Sequence, residues 1–145
     1  TVVVSPDQGA VERVRNFGTA LYGSADFSEV VIEKNRDQNI IHKAKPVALY
    51  GNVKGKIAII VDDMVVSGST LIPAIDLCLK NGATQVYAAI THHDFTKSAP
   101  EILGNAQLER FFTTNSIELK PEQKFAKLEE ISLASLIAEE IKRYL

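Results

Sequence analysis

One stretch limits what this chain can fold into: Ile57-Ala58-Ile59-Ile60-Val61-Asp62-Asp63-Met64-Val65-Val66-Ser67-Gly68-Ser69-Thr70. It opens as a short apolar run rich in Ile and Val behind Lys54-Gly55-Lys56, which is how a strand buried on both faces of a parallel sheet reads. The run is expected to stop at two carboxylates, Asp62 and Asp63. A small hydroxyl-bearing loop follows and leads into the apolar-periodic segment Leu71 to Leu79. In an open α/β sheet, ligands collect outside the carboxyl ends of the strands, so strand, acids, loop and helix start together predict a site there.

Each part has a physical job. Gly68 lets the backbone come close to an anion, Ser67, Ser69 and Thr70 add hydroxyl donors, and the positive end of the next helix completes a cradle. Adjacent carboxylates repel unless something cationic or hydrogen-bond donating lies between them, and a divalent ion or the two hydroxyls of a ribose would serve. The plainer alternative is a βα turn with a helix cap, because Ser, Thr and Asp all favour N-caps. The acids placed directly before the loop favour the phosphate–sugar reading.

The rest of the chain sets the frame. With 145 residues, 46% of them apolar, it has the size and core content of one domain. A formal charge of −2 gives no general attraction to nucleic acid or to an anionic membrane. No apolar run approaches the ~20 residues of a membrane span. One cysteine cannot form an internal disulfide, and with no secretory signal a reducing cytoplasm is the expected compartment. Cys78 falls among apolar positions and reads as a small buried hydrophobe.

Taken in order, Val2–Val4 reads as a short buried strand running into Ser5-Pro6-Asp7-Gln8-Gly9. The next helix carries Val11, Val14, Phe17 and Leu21 on one face and stops at Gly23. Asp7 thus stands at a carboxyl strand end, as a cap or as a ligand contact. Val30–Ile32 is the next strand, and 33–45 reads as a long polar connection bearing Lys34, Arg36, His42, Lys43 and Lys45, either a solvated loop or a mobile lid over a polyphosphate. Pro46–Tyr50 reads as an edge segment, and Pro73 is tolerated in the first turn of the helix after the cradle. Gln85–Thr91 is a further parallel strand that delivers His92-His93-Asp94 to the same sheet edge. Neighbours on an extended chain point apart, which argues against one shared ion. A short helix from Pro100 to Leu103, strands over Leu108–Thr114 and Phe125–Ile131, and a last helix capped by Ser132 complete the chain. The apolar stripe of that helix is Leu133, Leu136, Ile137, Ile141 and Leu145. The expected fold is α/β, a doubly wound, mostly parallel sheet with helices on both faces.

The string Val61-Asp62-Asp63 with Ser67-Gly68-x-Thr70 resembles the phosphoribosyl pyrophosphate (PRPP) motif of type I phosphoribosyltransferases. The order of Ser5-Pro6-Asp7-x-Gly9, Lys34-x-Arg36, Gly51 to Lys56, Asn81-Gly82-Ala83, Thr91-His92 and Thr114-Asn115-Ser116-Ile117 narrows the resemblance to the C-terminal half of the ribose-phosphate pyrophosphokinases. The opening at Thr1, inside a strand and without an initiator Met, fits such a half. The resemblance implies transfer of the pyrophosphoryl group of ATP to the C1 hydroxyl of ribose 5-phosphate, with Mg²⁺ as cofactor. It also implies a missing N-terminal domain and a homo-oligomer. Lys34 and Arg36 match the catalytic Lys-x-Arg pair, and Arg36 can fork to phosphate oxygens. Ser67, Gly68, Ser69 and Thr70 would hold the 5-phosphate. Asp62 and Asp63 would fix the ribose hydroxyls, directly or through Mg²⁺, with Asp7 nearby. Four positions depart from the family pattern: Ala10, Ser69 and His93 replace glycines, and Val66 replaces an acid. Two other readings are a phosphoribosyltransferase consuming PRPP, although no hood-like insertion is evident, and a non-catalytic regulatory paralogue.

Overall fold

The computed structural model describes residues 1–35 and 45–145, with side chains described for all of these except 34, 35 and 45–47. The chain runs β1 (Val2–Ser5), α1 (Val11–Tyr22), β2 (Glu29–Asn35), β3 (Lys45–Tyr50), β4 (Ile57–Val65), α2 (Leu71–Lys80), β5 (Gln85–His93), α3 (Ala99–Asn105), β6 (Arg110–Thr114), β7 (Leu128–Ile131) and α4 (Ala134–Lys142). Seven strands form one sheet in the order β3-β2-β1-β4-β5-β6-β7. All neighbours are parallel except β2 and β3. This is the mostly parallel α/β sheet that the strand-and-helix pattern predicts.

Burial explains the layering. Val2, Val3 and Val4 are each 0% exposed, so β1 needs cover on both faces. Val3 packs with Val14 of α1 and Val61 of β4 on one face. Val2, Val4 and Ile60 join Leu71, Ala74, Ile75 and Cys78 of α2, and Ala99 and Leu103 of α3, on the other. The chain leaves β1 toward β2 and β3, then returns to lay β4 on the other side of β1. The reversal opens a crevice between the carboxyl ends of β1 and β4, where such sheets bind ligands.

Several boundaries differ from the sequence expectation. β4 does not stop at the acids but runs on to Val65, because β5 extends beside it and the ladder continues through Asp62↔Ile90, Met64↔His92 and Val65↔His93. The polar connection is shorter than expected: Glu33, Lys34 and Asn35 belong to β2, and Lys45 begins β3. Past the Ser5↔Val31 pair β2 no longer has β1 beside it; Ile32 still enters the core, and beyond it the strand pairs with β3 alone. Arg36, His42 and Lys43 lie outside the described residues. β6 and β7 start later than expected, at Arg110 and Leu128, while Phe125 joins Phe95 and Phe111 in an aromatic cluster with ring centroids 5.6–6.3 Å apart. The stripe on α4 is uncovered, with Leu136, Ile137 and Ile141 at 65%, 53% and 52% exposure.

α1 ends as expected at Gly23, whose φ of 67° is left-handed and whose N–H donates to the carbonyl of Thr19 at 2.8 Å. Leu21 stays 49% exposed. The ring of Phe27 closes that end of the face instead, packing with Val3, Val14 and Val61. It lies against Gly18, where a Cβ would overlap it. Gly18→Ala is therefore expected to lower stability by roughly 1–3 kcal/mol through overpacking, despite the better helix propensity of alanine. Urea denaturation monitored by circular dichroism checks this, and an unchanged or raised midpoint would refute it.

Candidate functional site

The crevice is built by two turns. After β4, residues Val66 to Thr70 loop into α2, and Gly68 there adopts φ 82°. A side chain at Gly68 would have room, with Leu103 and Ile72 at ordinary contact distance, so it is backbone conformation that selects glycine. The Gly68 carbonyl accepts the Ile72 N–H at 2.9 Å, and the Ser67 hydroxyl accepts the Ser69 N–H at 3.3 Å. A pocket of about 230 Å³ opens over this loop, lined by Ser67, Gly68, Ser69, Thr70 and Leu71 with Asp62, Met64, Val65, Val66 and Ile90. Loop amides, hydroxyls and the N-terminus of α2 thus face one small cavity, which suits a phosphate-sized anion.

The second turn follows β1. Asp7 caps the short 3₁₀ turn Gln8–Ala10 by accepting the Gly9 N–H at 3.0 Å. It is a cap, as sequence allowed, and its charge also reaches Asp62. Ala10 is buried, so the methyl that replaces a family glycine points into the core rather than the crevice.

The carboxylate pair has a partner that sequence reasoning missed. Arg13 of α1 donates from Nη1 to Asp62 Oδ1 at 3.1 Å and from Nη2 to Asp63 Oδ2 at 2.8 Å. One guanidinium therefore spans both acids. The sequence does carry a signal for it: Arg13 stands in the first turn of α1, where the helix dipole disfavours a cation. Asp62 is the more enclosed of the two, its side chain 16% exposed against 57% for Asp63. Burial pushes the Asp62 carboxyl up to about 6; the Asp63 N–H that it accepts works against the rise, and the charges of Asp63 and Asp7 add to it.

The remaining predicted residues fall at the same edge or outside view. Lys34 sits on β2 opposite Pro46, with a register shift between Glu33 and Lys34; Arg36 lies outside the described residues. His92 hydrogen-bonds through Nδ1 to the Ser116 hydroxyl at 2.8 Å, in a network with Thr114 and the Thr91 carbonyl. His93 turns inward at 1% exposure, its Nδ1 3.0 Å from the Thr113 hydroxyl and its ring against Phe95. Burial lowers its pKa. Cys78 is in the core with its thiol pushed up to about 12, a packing residue and not a nucleophile.

Residues 9–145 match the family model described as the phosphoribosyl synthetase-associated domain. The chain belongs to that family. Curated relatives include ribose-phosphate pyrophosphokinase 1 of Streptococcus mutans, 36% identical over 98% of this chain and 43% of that protein, and the ribose-phosphate pyrophosphokinase of a Nostoc species, 38% identical over 98% and 42%. The phosphoribosyl synthetase-associated chain thus spans less than half the length of these relatives. Among solved structures it is similar to the phosphoribosylpyrophosphate synthetase of Mycobacterium smegmatis, with a TM-score of 0.82 and 31% identity over 97% of this chain and 43% of that one. A purine phosphoribosyltransferase of Pyrococcus horikoshii shares the fold alone, with a TM-score of 0.51 at 19% identity over 89% of this chain and 74% of that one. The type I phosphoribosyltransferase-like fold is confirmed.

The raised pKa of Asp62 has a testable sign. Because the folded value, about 6, exceeds the ordinary 3.8, the native state binds this proton more tightly, and stability from this group is lost as pH rises from about 4 to about 6. Asp62→Asn is expected to gain roughly 1–2 kcal/mol over wild type above pH ~7 and nothing below pH ~4. Thermal unfolding of both proteins across that range measures the difference; a gain that does not depend on pH would contradict it.

Proposed function

We propose that this chain is the C-terminal catalytic half of a ribose-phosphate pyrophosphokinase, working in a reducing cytoplasm as part of a larger homo-oligomer. The observation that carries the reading is the small pocket over Ser67–Thr70 set directly beside the Asp62–Asp63 pair. An anion cradle and a diol-binding diacid at that spacing match a sugar phosphate. The relatives' names support the pyrophosphokinase reading, and the 43% coverage of their length supports a chain that is part of a longer protein.

In this reading the 5-phosphate of ribose 5-phosphate rests on the loop amides and hydroxyls of Ser67, Gly68, Ser69 and Thr70. Asp62 and Asp63 accept hydrogen bonds from the ribose hydroxyls and so aim the C1 hydroxyl. That oxygen attacks the β-phosphorus of ATP, the bond from the α-phosphate bridging oxygen to the β-phosphorus breaks, and AMP leaves. Lys34 and Arg36, the family's cationic pair, close over the transferred group and offset its charge. The rate comes from positioning and electrostatics, and no covalent nucleophile is needed. The adenine seat belongs to the other half and to a neighbouring subunit.

One observation favours a second reading. Val66 lines the pocket at 42% exposure, where the family carries an acid. An apolar residue exposed at a polar site fits a regulatory paralogue that binds sugar phosphate without turning it over.

Ribose 5-phosphate is expected to bind the 145-residue chain, and Ser67→Ala with Thr70→Ala to weaken it by ~1–3 kcal/mol, as for hydrogen bonds to a charged group. Calorimetric titration measures this, and equal affinity in wild type and double variant would remove the loop from the site. The chain alone is expected to form no PRPP, since losing a seat for one substrate removes up to ~7–11 kcal/mol of positioning. In the full-length protein Val66→Asp should raise turnover. An inactive full-length protein unmoved by that change would favour the regulatory reading.

A further inference from the structure

The diacid already holds the positive charge that a metal would bring to it. The planar guanidinium of Arg13 offers donors in a fixed fork, and two of its nitrogens reach different carboxylates at 3.1 and 2.8 Å. Asp62 Oδ1 is doubly used, since it also accepts the Asp63 N–H at 2.9 Å. The fork leaves Asp62 Oδ2 and Asp63 Oδ1 outside it, one oxygen on each acid. Magnesium asks for near-octahedral oxygen ligands and usually brings its own waters. Among the described residues no group of three or more His, Cys, Asp or Glu side chains could hold a metal ion. An ion approaching the two remaining oxygens would also meet the fixed charge of Arg13 behind them. Neutral sugar hydroxyls meet no such repulsion.

We propose that Arg13 is a positioning residue that stands in for a divalent cation at the Asp62–Asp63 pair. Its fork supplies positive charge to the pair and fixes one oxygen of each acid, so that they grip a sugar diol directly and take no metal of their own. The diol part rests on the sugar-phosphate reading above, and the exclusion of metal does not. Arg13 belongs to α1 and the acids to β4, so the crevice comes preorganised from two elements on either side of the strand reversal. Removing the guanidinium should open a cation site where the wild type has none.

Mn²⁺, a paramagnetic probe for Mg²⁺ sites, tests this by amide NMR on the 145-residue chain without sugar phosphate. In the wild type, millimolar Mn²⁺ is expected to leave the signals of Asp62, Asp63 and Met64 no more broadened than those of other surface residues. Arg13→Met should broaden those three selectively, and Arg13→Lys, which keeps a charge but cannot fork, should fall between. Should the Met variant fail to fold, the Lys variant carries the comparison. Selective broadening in the wild type equal to that of the variants would overturn the proposal, and so would its absence in every variant. A companion titration with ribose 5-phosphate in EDTA and in millimolar Mg²⁺ should change wild-type affinity less than twofold. In Arg13→Met, affinity should fall at least tenfold in EDTA and recover with Mg²⁺. Failure of the wild type to bind the sugar phosphate would overturn the function proposed above, while the Mn²⁺ comparison would still decide whether Arg13 excludes metal.

Discussion

A strand with no solvent-facing side organises this molecule. Because Val2, Val3 and Val4 are wholly covered, β1 must have strands on both flanks and helices on both faces. The chain can satisfy this only by winding out to β2 and β3 and then back past its own start to β4. The crevice is the by-product of that return path. Its walls are two turns from different parts of the sequence, and Arg13 and Asp62, 49 residues apart, meet across it. Core packing therefore comes first, and the alignment of the acids, Arg13 and the Ser67–Thr70 loop follows from it.

Parts governed by local rules are legible in the sequence. The apolar run of β4, the left-handed glycine after α1, the glycine-bearing turn into α2 and the buried face of α2 all follow from short-range patterning and backbone chemistry. What escapes depends on distant partners. The outer end of β2 is a strand because β3 lies beside it, and a polar ladder leaves no hydrophobic signature. β4 runs through its acids for the same reason, with β5 as the partner.

Arg13 escapes because a fork across 49 residues has no spacing rule. The helix-dipole mismatch hints that Arg13 has a task without naming a partner. His93 shows the opposite error of attention. Beside His92 and Asp94 it draws the eye as a ligand, yet it is enclosed with Phe95 and Thr113 as part of the core. The last helix is legible only in part: Ser132 does accept the Ala134 N–H, but Asn115 on the preceding connection accepts that of Leu133 at 2.8 Å.

The sheet's two margins and its last helix have a colloidal consequence. β3 carries Lys45 and Pro46, and β7 is four residues long with Glu129 and Glu130 in its middle, so neither margin offers a flat template for edge-to-edge growth. The aliphatic ridge of Leu136, Ile137 and Ile141 has no comparable guard, and a formal charge of −2 with a pI near 5.9 supplies little mutual repulsion. That ridge gathers three exposed aliphatic side chains on one helix face, a seat for attraction between molecules in concentrated solution. Crowded preparations of this chain would cluster helix to helix and reversibly, most of all as the pH nears the pI, instead of seeding fibrils from strand edges.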